Sequence, residues 1–103
     1  MSVLTEFAMF PTDREESVSQ YVSRVLDMIK NSGVSYQLTA MGTIMETESL
    51  DEALDIIRKA HDILAKDANR IYSTVKFDIR KGKEKRMEGK IRSVEEKIGK
   101  VSR

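Results

Sequence analysis

The order in which the hydrophobic period changes along this chain constrains its fold more than any other feature. Val3 to Phe10 run apolar with β-branched and aromatic members, and Pro11 closes the run, because proline is tolerated at a strand end but not in a central ladder. Val18, Tyr21, Val22, Val25, Leu26 and Ile29 then recur at 3.6-residue spacing, which predicts a helix. Thr12-Asp13-Arg14-Glu15-Glu16 offers it a capping residue and acids for the first turn, and Gly33 stops it. Val34, Tyr36 and Leu38 alternate with Ser35, Gln37 and Thr39, the mark of a half-buried strand. Met41-Gly42 is a turn candidate, and Thr43 to Thr47 a short strand returning antiparallel as a hairpin.

Ser49-Leu50-Asp51-Glu52 reads as a capping box, in which the serine oxygen satisfies a free backbone N–H and the glutamate reaches back to the serine N–H. The helix it opens carries the stripe Leu50, Ala53, Leu54, Ile57, Ala60, His61 and Leu64 and ends near Lys66, with Asp67-Ala68-Asn69 as the exit loop. From Ile71 to Ile79 the chain alternates again, with Ile71, Ser73, Val75, Phe77 and Ile79 on one face of a fourth strand. After Lys81-Gly82-Lys83, a last helix over residues 84–100 presents Met87, Ile91, Val94 and Ile98, a seam narrow enough for docking on one partner element.

The element order β-α-β-β-α-β followed by a helix predicts an α+β, ferredoxin-like domain with a four-stranded antiparallel sheet plus a C-terminal helix. A chain of 103 residues has room for this one domain, residues 1–103. Right-handed crossovers put strands one and three in the centre, strand four beside strand one and strand two beside strand three. The first two helices cover one sheet face. The other receives Glu6, Lys76 and Glu46, setting a lysine between or beside two glutamates. Leu4, Phe10 and Tyr72 also face that side, so a homodimer or homotetramer is expected to cover it.

Composition narrows the chemistry. Without cysteine and with one histidine, His61, the chain builds neither a thiolate metal site, a cysteine nucleophile nor a two-histidine zinc motif. No metal and no cofactor are expected. The longest apolar runs fall far short of the ~20 residues that cross a bilayer, and no basic stretch precedes an apolar run at the N-terminus, so the expectation is a cytoplasmic protein with no membrane partner. From Lys81 onward nine basic residues face four acids, a surplus of five against a total net charge of +1, so the rest of the chain is acidic. Interleaved acids and the absence of any aromatic residue beyond Phe77 point to a solvated or self-pairing tail rather than a nucleic-acid interface.

The residues that could carry chemistry are few. His61 falls on or beside the inner stripe of its helix and reads as a packed or boundary residue. Glu6 and Glu46 could form a general acid/base pair, or an ordinary ion-pair cluster with Lys76. Gly82-Lys83 lacks the upstream glycine and the following hydroxyl residue of a phosphate loop. Met41-Gly42-Thr43 combines a flexible apolar side chain, a permissive backbone and a hydroxyl at a turn.

Four phrases together resemble a known family. Glu6-Phe7-Ala8-Met9-Phe10-Pro11, Tyr36-Gln37-Leu38-Thr39-Ala40-Met41-Gly42-Thr43-Ile44-Met45-Glu46, Arg70-Ile71-Tyr72-Ser73-Thr74-Val75-Lys76-Phe77-Asp78-Ile79-Arg80 and Lys90-Ile91-Arg92-Ser93-Val94 resemble the small thiamine-binding proteins of the YkoF-like group. Met-Gly-Thr-x-x-Glu before the second helix and the Lys-x-Asp-x-Arg end of strand four are the more specific parts. The resemblance implies a ferredoxin-like protomer, dimers and tetramers formed through the sheets, and non-catalytic binding of thiamine or its hydroxymethylpyrimidine half. Ala8 stands where the family usually has Ser or Thr, and Gln37, Ala40 and Thr47 where it tends to have Glu, Pro and Gly, so the polar contacts differ.

A thiamine site needs an apolar slot for the planar pyrimidine, donors and acceptors for its edge, and negative charge near the cationic thiazolium. Phe7 or Tyr36 can flank a ring, Thr43 with the Gly42 backbone can bond its edge beside Met41, and Glu6 or Glu46 can neutralise the cation. In the alternative reading Phe7 and Tyr36 are core, Thr43 opens a strand and the glutamates pair with Lys76. The leading function is thus a thiamine or pyrimidine carrier, buffer or sensor. Two others stay open: an acid/base salvage enzyme using Glu6 or Glu46, and a regulatory module using the basic tail.

Overall fold

In the computed structural model, which describes residues 1–14 and 18–102, the elements run β1 (Ser2–Pro11), α1 (Val18–Ser32), β2 (Ser35–Thr39), β3 (Gly42–Thr47), α2 (Leu50–Ala65), β4 (Ile71–Arg80) and α3 (Arg86–Ile98). The strands pair antiparallel in the order β2-β3-β1-β4. This is the expected α+β, ferredoxin-like topology, with β1 and β3 central. Of the residues expected to cap α1, Glu15 and Glu16 lie outside the described residues.

β1 shows why the sheet has one dry face. Val3, Thr5, Phe7 and Met9 are buried, while Leu4, Glu6, Ala8 and Phe10, pointing the other way, are half-buried. α1 lays Tyr21, Val25 and Ile29 on the dry face and α2 adds Ala53, Ile56, Ala60 and Leu64, closing the core around Met45. Each large aliphatic side chain buried there contributes about 1.5–3 kcal/mol relative to exposure. Gly33, at φ +80°, takes the left-handed turn that ends α1. Arg24 of α1 meets Asp67, just past α2, at 2.7 Å.

Ser49 caps α2, accepting the Glu52 amide at 3.1 Å, and its hydroxyl faces the Glu52 carboxylate at 3.3 Å. The inner stripe of α2 is rotated from the expected one. Ile56 is buried, whereas Leu50 and Leu54 are exposed and Ile57 is half-buried. Apolar residues at 53, 54, 56, 57, 60 and 64 allow two overlapping helical faces, and the sheet selects the one that includes Ile56. His61 is consequently exposed rather than packed, with its Nδ1 at 3.2 Å from Asp62.

α3 begins on the other sheet face, where its first turn is tied to β1, β3 and β4. Its expected docking seam is only half used. Met87 and Ile91 are half-buried, but Val94 and Ile98 are 46% and 73% exposed. The cause is the anchor: the fixed point is polar and sits in the first turn, so burial fades along the helix.

Candidate functional site

A cavity of about 410 Å³ opens on the dry face, between the N-terminal half of α1 and the ends of β1, β2 and β3. Phe7 and Thr43, opposite each other across the β1–β3 ladder, are both buried and line it. Val18, Val22 and Leu26 supply the helical wall, Leu38 the β2 side and Met41 the rim. These three α1 positions are four apart, so they form a second apolar row beside the core row of Tyr21, Val25 and Ile29.

Gly42 makes this corner of the sheet possible. A Cβ there would lie 2.8 Å from the Phe7 carbonyl oxygen, a backbone atom of the neighbouring strand that cannot swing aside. Thr39 fixes the hairpin turn next to it: its Oγ1 donates to the Gly42 carbonyl at 2.8 Å and accepts the Met41 amide at 3.2 Å. The described residues that line the cavity carry no charge. Chemically, this is a slot for a flat, neutral, largely apolar group whose edge meets a threonine hydroxyl and strand backbone.

The seven residues singled out from the sequence do not form one constellation. Phe7, Met41, Gly42 and Thr43 come together in the slot. Tyr36 lies two residues along β2 from Leu38, packs against the core, and lines a shallower groove of about 380 Å³ that shares Val22, Leu26 and Leu38 with the slot. Glu6 and Glu46 point to the opposite sheet face. Glu6 pairs with Lys76 at 2.9 Å directly across the β1–β4 ladder. Glu46 stands opposite Leu4, two positions along the ladder. Its partners are the Ser2 hydroxyl at 2.5 Å and the backbone amides of Arg86 and Met87 at 2.9 and 3.1 Å. The lysine therefore has one glutamate beside it, not two.

Burial works against ionisation of Glu46, but the Ser2 hydroxyl, the two amides and the Arg86 charge outweigh it and hold the carboxyl below its ordinary range. Among the described residues, no group of three or more histidine, aspartate and glutamate side chains is placed to hold a metal ion. No described helix is long and apolar enough to cross a membrane.

A family model described as thiamine-binding protein matches residues 5–95. The chain belongs to that family. Among its relatives, a UPF0045 protein of Methanothermobacter thermautotrophicus is 36% identical over 83 residues, covering 80% of this chain and 84% of the relative. The UPF0045 protein MJ1052 of Methanocaldococcus jannaschii is 34% identical over 94 residues, covering 91% and 93%. A crystal structure of MJ1052 superposes with a TM-score of 0.81 over 92% of this chain and 97% of that one. The Thermotoga maritima protein TM0486, described as a candidate thiamine biosynthesis/salvage protein, shares the fold at a TM-score of 0.78 with 19% identity, covering 91% of this chain and 99% of its own.

Within this thiamine-binding protein family chain, Val22, Leu26, Leu38 and Thr39 are slot residues that the sequence reading did not single out. Two signals for them were present. The α1 stripe is wider than one helical row needs for packing, and Thr39 immediately precedes a turn, where a threonine side chain bonds nearby backbone.

Proposed function

We propose that this protein binds the pyrimidine end of thiamine, or hydroxymethylpyrimidine itself, in the slot beside Phe7, Gly42 and Thr43, without transforming it. One observation carries the reading: a largely apolar cavity of about 410 Å³, edged by Thr43 and with no charge among its described lining residues, in a chain of the thiamine-binding protein family. A flat heteroaromatic ring matches such a slot, and the Thr43 hydroxyl offers both a donor and an acceptor to its nitrogens. The cationic thiazolium stays at the wet mouth, since a charge drawn into an apolar wall without a partner costs several kcal/mol. Binding is favoured over turnover because the described slot lining has no titratable side chain to serve as acid or base.

On this reading the protein is a cytoplasmic carrier, buffer or sensor. It assembles with further copies of itself through the face that carries Leu4, Phe10 and Tyr72, where Tyr72 is 57% exposed and its ring lies 5.8 Å from that of Phe10. Calorimetric titration of the purified protein tests the binding. One site per chain is expected, with similar affinity for thiamine and hydroxymethylpyrimidine because both present the same ring to the slot. No binding heat from either at millimolar concentration overturns it.

A further inference from the structure

Met41 is 85% exposed, more than any other large apolar side chain among the described residues, and it stands at the rim of the slot. Its backbone is held in place, because Thr39 Oγ1 accepts the Met41 amide and donates to the Gly42 carbonyl one residue on. What remains free is an unbranched side chain with three rotatable bonds and a polarisable thioether sulfur near its tip. Leaving it in water has a hydrophobic cost that docking on the core does not relieve here. An apolar ring held in the slot would give it a surface to cover.

Building on the proposed function, we propose that Met41 is the lid of the slot, folding over the exposed edge of the bound pyrimidine, and that oxidation of its sulfur by a peroxide weakens that closure. In the oxidation step the thioether sulfur attacks the terminal peroxide oxygen. The O–O bond breaks, the sulfur is oxidised by two electrons to the sulfoxide, and hydrogen peroxide is reduced to water. The product is a polar group at the rim of an apolar cavity, which prefers solvent to the ring. Susceptibility follows exposure, and Met9 and Met45 are buried under the helices while Met28 and Met87 are half-buried. Met1, 43% exposed and outside the slot, is the internal control.

The test compares the full-length wild type with Met41→Leu, each titrated with hydroxymethylpyrimidine before and after hydrogen peroxide, with sulfoxide located by peptide mass spectrometry. Leucine keeps apolar cover without an oxidisable sulfur, so untreated Met41→Leu is expected to bind more weakly than untreated wild type by up to about tenfold, and each protein is compared with its own untreated affinity. Peroxide is expected to weaken the wild type about two- to tenfold, the range of one sulfur–aromatic contact, and to leave Met41→Leu unchanged. A methionine sulfoxide reductase is expected to restore the wild type. Unchanged affinity of wild type fully oxidised at Met41 overturns the lid, and so does an equal loss in oxidised Met41→Leu, which would assign the effect to another sulfur. Failure of the untreated wild type to bind the ligand is a different outcome: it overturns the proposed function, and the lid falls with it.

Discussion

Glu46 accepts the backbone amide of Arg86 at 2.9 Å, so a carboxylate on a central strand closes the first turn of the last helix. The Met87 amide meets its other oxygen at 3.1 Å. The clasp is completed by the Arg86 side chain, which is buried: Nε donates to Ser2 Oγ at 3.0 Å, and the guanidinium meets the Ser2 carbonyl, the Asp78 carbonyl and the Asp78 carboxylate. An anion at a helix N-terminus answers free N–H groups and the positive end of the helix dipole together. α3 has no cap of its own, since Lys85 at the N-cap position makes no side-chain cap bond and sits at φ +52°.

Replacing Glu46 by glutamine keeps one acceptor oxygen and removes the charge. This variant is expected to lose about 1–2 kcal/mol of stability, with faster hydrogen exchange at the Arg86 and Met87 amides. Unchanged exchange at both amides would show that the clasp does not hold α3.

Acid should release the same helix. The Arg86 hydrogen bond, followed by that of Lys90, holds the Asp78 carboxyl below its ordinary range, and Glu46 is also lowered. Carboxyls that bind protons less readily in the folded state contribute stability that is complete above their unfolded values and is lost as pH falls through the folded ones. Protection of the amides across Arg86–Ile98, relative to intrinsic exchange at each pH, should therefore fall more than that of the core strands between roughly pH 5 and pH 2. Equal protection of α3 at both ends of that range would contradict this.

Thr5 offers the opposite kind of change. It is 0% exposed under the helices, and its hydroxyl has no hydrogen-bond partner among the described residues. Valine has the same shape without the stranded hydroxyl and suits a strand. Thr5→Val is expected to stabilise by about 0.5–1.5 kcal/mol in denaturant unfolding, and a loss of stability would show that the hydroxyl is satisfied in solution.

Glu6 and Glu46 show what was and was not legible in the sequence. The apolar run of β1, the alternation along β2 and β4 and the helical spacings carry the topology, because side-chain period and burial are local consequences of backbone geometry. They also place Glu6, Lys76 and Glu46 on one sheet face. Which of the three meet depends on strand register and on where α3 starts, and neither is a local property. Glu46 is two ladder positions from Glu6 and is taken by α3, a partner forty residues away in sequence. Of the candidate site, the Met41-Gly42-Thr43 turn was legible from residue types alone. Its α1 wall was not, because Val22 and Leu26 read as core until the sheet chooses which helical row to bury.

Gly42 is the most position-specific residue of the slot. Alanine would bring its Cβ against the Phe7 carbonyl at 2.8 Å and force β3 away from β1 where Thr43 faces the cavity. Gly42→Ala is expected to cost about 1–3 kcal/mol and to weaken ligand binding as well. Full stability and unchanged affinity, measured by thermal unfolding and calorimetry on one preparation, would show that the strands have room to spare.

The location of the ligand is tested most directly by a two-dimensional amide NMR titration with hydroxymethylpyrimidine. Saturable shifts are predicted at Phe7, Val22, Leu38, Gly42 and Thr43, with Glu6, Glu46, Lys76 and Arg86 on the opposite face unmoved. Saturable shifts confined to that opposite face, or no shifts at millimolar ligand, would contradict the slot as the binding site.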